Sequence, residues 1–466
     1  MMKRIGFAMA LAGAGVVAVA GAAAAFDLGS FVQQQLFAKS TELFGIVRPV
    51  PASSTSSVDA ATADADPTSL VTVAHGLSVR VVTAAQNAGA NIDMMAPWPN
   101  DIAPTHLIAC NEQDESDPGV QRIRLSDGLV ETILTGTDSC DPVRATAWGT
   151  VIVGEEAGSS GRLIEIASPL TTTGVTFDRG TGTSSDPAHV VARPAVGRLS
   201  WEGIALYESG VMYYGDENRP FQGTPGGAYF KFVPGSPWTG GPPITDLSQS
   251  PLANGSVHGL RLGLRSGATD YGQGSNTGHG QWIPIPGANV DLRAAAADLQ
   301  LTGYYRPEDA EVDRAAEAAG RVRFCANNTG NEGTDRNYGE TICVTDGTLD
   351  EALANSATPE LQLLVVGYPA FAMMDNVAYQ PGRGNWLIQE DGDGPEVGLN
   401  NDVFSCLDDG ADANLLSDGC VRVLTVNDLT AETTGGVFDA TSSRYWVSVQ
   451  HNVTGHGVVL ELTGWR

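Results

Sequence analysis

The chain has 466 residues, with 54 acidic against 26 basic side chains and a formal net charge of −28 at pH 7. So negative a surface repels nucleic acid and anionic lipid, which excludes both as partners. A hydrophobic content of 42% is enough for a packed core, and 56 glycines fit an all-β chain with many turns.

Residues 1–25 read as a secretory signal peptide. Lys3 and Arg4 precede an Ala/Val/Gly-rich run, and residues 23–25 offer an A-x-A cleavage site. An N-terminal membrane anchor is the alternative, but no later stretch is long and apolar enough to span a bilayer. A periplasmic or secreted protein follows, with no integral membrane segment after cleavage. Six cysteines in an exported chain imply three disulfides. Sequence order pairs Cys110 with Cys140, Cys325 with Cys343 and Cys406 with Cys420. Next, Phe31, Val32, Leu36, Phe37, Leu43 and Phe44 fit a short amphipathic helix that docks on the body. Residues 50–69, rich in Pro, Ala, Ser, Thr and Asp, read as an exposed connector.

From residue 70 onward strand patterns dominate. Six apolar, β-branched or aromatic runs end in polar pairs. Residues 106–110 end in Asn111 and Glu112, and 148–154 in Glu155 and Glu156. Residues 211–215 end in Asp216 and Glu217, and 321–326 in Asn327 and Asn328. Residues 386–389 end in Glu390 and Asp391, and 445–449 in Gln450 and His451. An acidic element precedes several of them: Glu202, Glu308 and the Asp375–Asn376 pair. Further strands follow, beginning near Gly119, Gly161, Ala228 and Gly457. Strand, turn, strand, polar end, loop, strand is a repeating blade. The expected fold is an all-β, six-bladed β-propeller over residues 70–466, with the early strands completing the blade built by residues 436–466. Residues 234–300, interrupted by Gly/Pro-rich and Gly/Ser/Asn-rich text, read as a long insertion between blades with a helical turn at 292–300. A seventh blade hidden there is the competing reading.

Adjacent carboxylates repel one another, so a cation is expected beside them, and hard oxygen donors at convergent strand ends suit Ca²⁺. The metal-ligand candidates are Glu155, Glu156, Glu202, Asp216, Glu217, Glu308, Asp375, Asn376 and Glu390. Ordinary turn or strand-start carboxylates are the alternative for each. Arg144 and Arg306 are candidates for holding an anionic substrate, with a simple ion pair as the alternative. His451 reads either as a metal or phosphate contact or as a hydrogen-bonded core histidine. No G-x-S-x-G stretch and no phosphate-loop Lys is present. A hydrolase built on this chain would use a metal-activated nucleophile.

Five segments in order resemble the PhoX-type alkaline phosphatases. Cys140, residues 145–150 and Glu155-Glu156 resemble their C…TPWGT…CEE segment, and Cys140 stands roughly where the family has an iron-ligating cysteine, which implies a metal-bound thiolate, with a bridge to Cys110 as the alternative. Residues 197–203 resemble GRFSHEG, and 305–309 resemble RPEG/RPEW. Residues 374–378 resemble a DNLA segment, and 449–451 a late VQHP segment. The resemblance implies a six-bladed propeller with a central metal cluster of calcium and iron (Fe³⁺), hydrolysing a small anionic substrate such as a phosphate monoester. It implies a monomer exported from the cytoplasm. The chain departs from the pattern at Trp201 (His in the family), Ala147 (Pro) and Gly154 (Cys), and its leader has a single Lys-Arg. A non-catalytic, calcium-stabilised propeller that binds a partner is the rival reading. Lactone hydrolysis is a third.

Overall fold

A computed structural model describes residues 28–466, apart from 221–225, 264–275, 334–335, 393 and 411–413. The expected signal peptide lies outside the described residues. The described residues form five hydrogen-bonded sheets of 5, 6, 4, 9 and 4 strands, almost all antiparallel, with only short helices. Six successive meanders build them. Each opens on an innermost strand: Ile92–Trp98, Cys140–Ala145, Trp201–Leu206, Pro307–Val312, Met374–Tyr379 and Glu432–Phe438. These six strands pack side by side in chain order, and the last contacts the first. The result is an all-β, propeller-like ring around a central channel.

Closure follows the expected pattern in the last meander. Ser78–Thr83 pairs antiparallel with Val458–Thr463, with Val81 opposite Leu460. Val71–Val73 joins the preceding meander instead, pairing with Cys420–Val426. Both pairings cover edges that would otherwise offer unpaired backbone groups. The runs read as strands from sequence are buried on both faces, because each sheet is packed between two neighbours. Leu107, Ile108, Ala109 and Cys110 are all fully buried, as are Trp148, Trp201, Trp386 and Trp446. Each large apolar side chain so buried contributes roughly 1.5–3 kcal/mol.

The N-terminal helix is split into Leu28–Ala38 and Ser40–Phe44, and Leu36, Phe37, Leu43 and buried Phe44 pack on Val421, Val423 and Leu424. The stretch read as an exposed connector is partly structured. Asp59 caps Ala60–Ala65 by accepting from the Thr62 N–H, and Leu70 is fully buried. The interval read as an insertion also contributes to the sheets. Gly255–Leu262 is the fourth strand of its meander. Gly278–Ile285 pairs with it and, through Gly278 and His279, touches Glu360–Val366, so two meanders share one nine-stranded sheet. The helix expected near 292–300 is Leu292–Leu299.

All three disulfides form as paired by sequence order. Cys325 faces Cys343 across adjacent strands, and Cys406 faces Cys420 in the same way. Loops of 14 to 30 residues closed in this way each remove on the order of 3 kcal/mol of unfolded-state freedom.

Candidate metal centre and active site

The site begins with a repeated defect in strand pairing. Ile92 sits opposite Asn111, but the next matched pair is Met95 with Ala109, so three steps on one strand face two on the other. The same slip occurs between Cys140 and Val143, Trp201 and Ile204, Pro307 and Ala310, and Met374 and Val377. Each is a β-bulge, and a bulge re-aims the side chains inside it. The first residue inside each bulge is acidic: Asp93, Asp141, Glu202, Glu308 and Asp375. In the sixth meander Glu432 opens its strand opposite Gln450, and the slip comes later. Six carboxylates, one per meander, thus gather at the start of the inner strands. Five of them line a cavity of about 540 Å³, and Glu308 lies against Glu202 and Asp375.

A second tier comes from the residue just beyond each second strand. Glu112, Glu156, Asp391 and His451 line the same cavity. Glu217 and Thr329 occupy the two equivalent places left. Glu217 accepts from Arg306 Nε at 2.6 Å, and the Thr329 hydroxyl donates to Glu308.

These carboxylates crowd one another. Oxygens of Asp141, Glu156 and Glu202 lie within 4.8 Å of each other, as do those of Glu202, Glu308 and Asp375, so Glu202 is shared by both groups. Burial, reinforced by the charges of Glu112 and Glu217, pushes Glu156 up to about 10. Burial pushes Glu308 up to about 8 even though Arg306 pulls it down. Asp93, Asp141, Glu202, Asp375 and Glu432 are all lifted well above the carboxylate range, first by burial and then by neighbouring carboxylates. Asp93 Oδ1, Asp141 Oδ1 and Glu308 Oε2 are buried without a hydrogen-bond partner. An orphaned buried carboxylate oxygen is costly unless a cation takes it up. The donors are all hard oxygens, which fits Ca²⁺.

Of the residues singled out from sequence, Glu156, Glu202, Glu308 and Asp375 meet in this cluster. Others are turned away. Glu155, one residue from Glu156, is fully buried on the opposite side and accepts from Arg179 Nε (2.8 Å), the Arg162 N–H and the Asp138 N–H. Asp216 is held by Arg293 through two contacts of 2.8 Å and by the Ser200 N–H. Glu217 braces Arg306. Asn376 Oδ1 accepts from Gln389 Nε2 and the Gly435 N–H, beneath the cluster. Glu390 accepts from the N–H groups of Ala372 and Asp402 in a separate hollow. Cys140 is no metal ligand, because its sulfur is bonded to Cys110 and no thiolate exists. Arg144 lies at the far end of the channel, where its Nη2 reaches Asp309 at 2.7 Å. Arg306 does line the cavity. His451 is not a core residue: its side chain is 47% exposed and sits 3.5 Å from Glu432.

Two departures from the PhoX pattern lie against each other. Trp201 is fully buried and stacks on Tyr214 at 4.6 Å, so it packs in the core rather than facing the cavity. A Cβ at Gly154 would come within 2.5 Å of Trp201 Cβ and 2.8 Å of Pro142 Cγ, so no side chain fits at 154 beside these two residues as they stand.

Sequence reasoning missed Asp93, Asp141 and Glu432 as ring members. It also left Glu112, Asp391 and Arg219 out of the site. The available signal was an acid one residue after an apolar strand start, as in Ile92-Asp93 and Cys140-Asp141.

The family model of alkaline phosphatase PhoX matches residues 118–452. The chain belongs to the PhoX alkaline phosphatase family. Among solved structures it is similar to Pseudomonas fluorescens PhoX in complex with vanadate, a transition-state analogue. That match is 15% identical, covers 89% of this chain and 97% of the other, and has a TM-score of 0.61. A gluconolactonase from Xanthomonas campestris matches at 13% identity, over 89% of this chain and 97% of that one, with a TM-score of 0.42. The PQQ-bound aldose sugar dehydrogenase of Streptomyces coelicolor matches at 12% identity, over 83% and 98%, with a TM-score of 0.40. A search of curated proteins finds no match.

Proposed function

We infer that this chain is an exported, metal-dependent phosphatase that hydrolyses phosphate monoesters in the acidic cavity. The observation that carries the reading is the ring of buried carboxylates with orphaned oxygens, one from the start of each meander. Family membership supports the reaction class. We count each meander as one blade, which makes the body a six-bladed propeller over residues 70–466, and we take the protein to act as a monomer. The leader-like start and the three disulfides support a periplasmic or secreted location.

Asp141, Glu156, Glu202, Glu308 and Asp375 are the residues that would hold Ca²⁺, with Asp93 and Glu432 completing the ring. Bound there, the cation supplies positive charge that ligates phosphate oxygens and stabilises the charge they gain during transfer. Iron would have to be held without the thiolate that the family resemblance suggests, because Cys140 is locked in a disulfide. The protein's own groups do the positioning. Arg306 stands in the cavity wall, oriented by Glu217 and Glu308, with its Nη groups turned toward Asp391. A guanidinium so oriented is pre-set to bind a phosphate oxygen.

Hydrolysis of p-nitrophenyl phosphate by Ca²⁺-loaded wild type, by chelated protein and by Glu156→Gln tests the reading. Turnover that the chelator and the variant both abolish, in protein that stays folded, is the expected result. No turnover with Ca²⁺ or iron would favour the binding-module reading.

A further inference from the structure

Two guanidinium groups line the axial cavity, and they are held in different ways. Arg306 is clamped: Nε lies 2.6 Å from Glu217 and 3.2 Å from Glu308, and Nη1 lies 3.9 Å from Asp391. Arg219 is exposed at the mouth and has no carboxylate partner among the described residues. Its backbone is nevertheless anchored. The Glu217 N–H donates to the Ser200 carbonyl, and the Asn218 carbonyl accepts from the N–H groups of Gly227 and Arg306. The strand Met212–Asp216 therefore delivers Glu217 and Arg219 to the cavity in succession, one to brace Arg306 and one left open.

Nine carboxylates line this cavity against two arginines. A bound cation neutralises the ring itself, but an incoming phosphate dianion first meets the rim, where Glu112 and Asp391 repel it. An uncommitted guanidinium there offers both attraction and paired N–H donors matched to phosphate oxygens. We propose that Arg219 captures the phosphate group of the substrate at the cavity mouth and holds it in the ground state, as a second guanidinium beside the clamped Arg306 of the wall. This rests on the phosphatase reading for its substrate. The capture itself is a claim about anion binding, so it is testable apart from turnover.

An exposed side chain that binds substrate and transition state alike sets KM more than kcat. The primary experiment is calorimetric titration of Ca²⁺-loaded protein with inorganic phosphate, for wild type, Arg219→Ala and Arg219→Lys. Loss of a charge-assisted pair predicts affinity about 10-fold weaker for Arg219→Ala, with Arg219→Lys in between. Bound Ca²⁺ and melting temperature should match wild type, because the side chain is exposed and has no ion pair among the described residues. In kinetics with p-nitrophenyl phosphate, KM should rise about 10-fold, and the change in kcat should be the smaller of the two. Raising the salt concentration should narrow the gap between wild type and Arg219→Ala. Equal phosphate affinity in wild type and Arg219→Ala, or no phosphate binding by wild type, overturns the proposal. So does a fall in kcat larger than the rise in KM, which would place Arg219 in the transition state. Absence of turnover by wild type counts against the phosphatase reading alone, and leaves the affinity comparison to decide this one.

Discussion

The two ends of the central channel bury the same kinds of side chain and treat them in opposite ways. Glu308 and Asp309 are consecutive residues of one bulge, and they divide between the two ends. Glu308 belongs to the acidic ring and keeps a buried oxygen without a partner. Asp309 belongs to a cavity of about 350 Å³ at the other end. There Oδ1 accepts from Arg144 Nη2 and the Ala310 N–H, each at 2.7 Å, and Oδ2 accepts from the Val377 N–H. Around it Glu311 pairs with Arg314, and Arg314 with Glu317, each at 3.0 Å. At the Asp309 end, the buried carboxylate has both oxygens satisfied within the protein. At the Glu308 end, Asp93, Asp141 and Glu308 each keep a buried oxygen without a hydrogen-bond partner among the described residues. Open oxygens at that end are what the proposed cation site requires.

The largest effect expected from this contrast is on activity. Glu202 is common to both carboxylate groups, so Glu202→Gln should lower phosphatase turnover by more than about 100-fold, the upper end for losing a mere outer-shell partner. The same substitution removes a carboxyl whose ionised form the buried, crowded ring disfavours, so it should raise the melting temperature of chelated protein while lowering the gain on adding Ca²⁺. Opposite signs in the two melts separate a ligand from a scaffold residue. If Glu202→Gln melted lower with and without Ca²⁺, the ring would be structural.

At the closed end the expectation is reversed. Asp309→Ala leaves the largely buried Arg144 with Glu311, at 3.9 Å, as its remaining carboxylate partner, which should cost about 1–3 kcal/mol of stability. Denaturant unfolding should show that loss equally in chelated and Ca²⁺-loaded protein, with Ca²⁺ affinity unchanged. A loss confined to the Ca²⁺-loaded form would join the two ends into one site.

A smaller, graded effect concerns pH. In the metal-free protein Glu156 is raised to about 10 and Glu308 to about 8, from a usual value of 4.5. The folded state then binds more protons than the unfolded state between those limits. Its stability therefore falls as pH rises above about 4.5, and continues to fall until about pH 10. Cation binding needs the same carboxylates ionised, so Ca²⁺ should stabilise more at pH 8 than at pH 5. Melting in chelator and in Ca²⁺ at pH 5, 7 and 9 measures both slopes. A metal-free protein that gained stability with rising pH would show that its ring carboxylates already have partners.

The strands were legible because burial on both faces produces unbroken apolar runs, and polar ends mark where each run leaves the core. Glu202 and Asp375 were legible because an apolar stretch follows each within two residues, and Glu308 because acidic residues cluster beside it. Asp141 was hidden by Pro142, which breaks a strand pattern. Glu432 was hidden by the Thr-Thr-Gly-Gly that follows it. Gly255–Leu262 was missed because glycines and a histidine interrupt its alternation, although it is paired on both sides. Which member of each polar pair faces the axis depends on a bulge. A bulge is a relation between two strands, and no single segment records it.

Glu155 and Glu156 give the finest test of that point. They are neighbours at one strand end and similar in sequence context. Cys140 pairs with Glu155 across the sheet, so Glu155 is the last matched residue and its side chain turns outward to Arg179. Glu156 is one step further and faces the cavity. Glu155→Gln keeps an acceptor for the Asp138 N–H but sets its NH2 against the Arg162 N–H, while Arg179 keeps Glu115 and Asp138, each at 3.0 Å. The cost should be about 1–3 kcal/mol, the range for one buried donor left unsatisfied. Ca²⁺ content and turnover should stay near wild type, whereas Glu156→Gln loses both. Metal analysis and melting of the two variants side by side would check this. The reverse pattern, with metal lost at 155 and kept at 156, would mean that the register at this bulge is shifted by one residue and that the ring is built from the opposite face of the strand end.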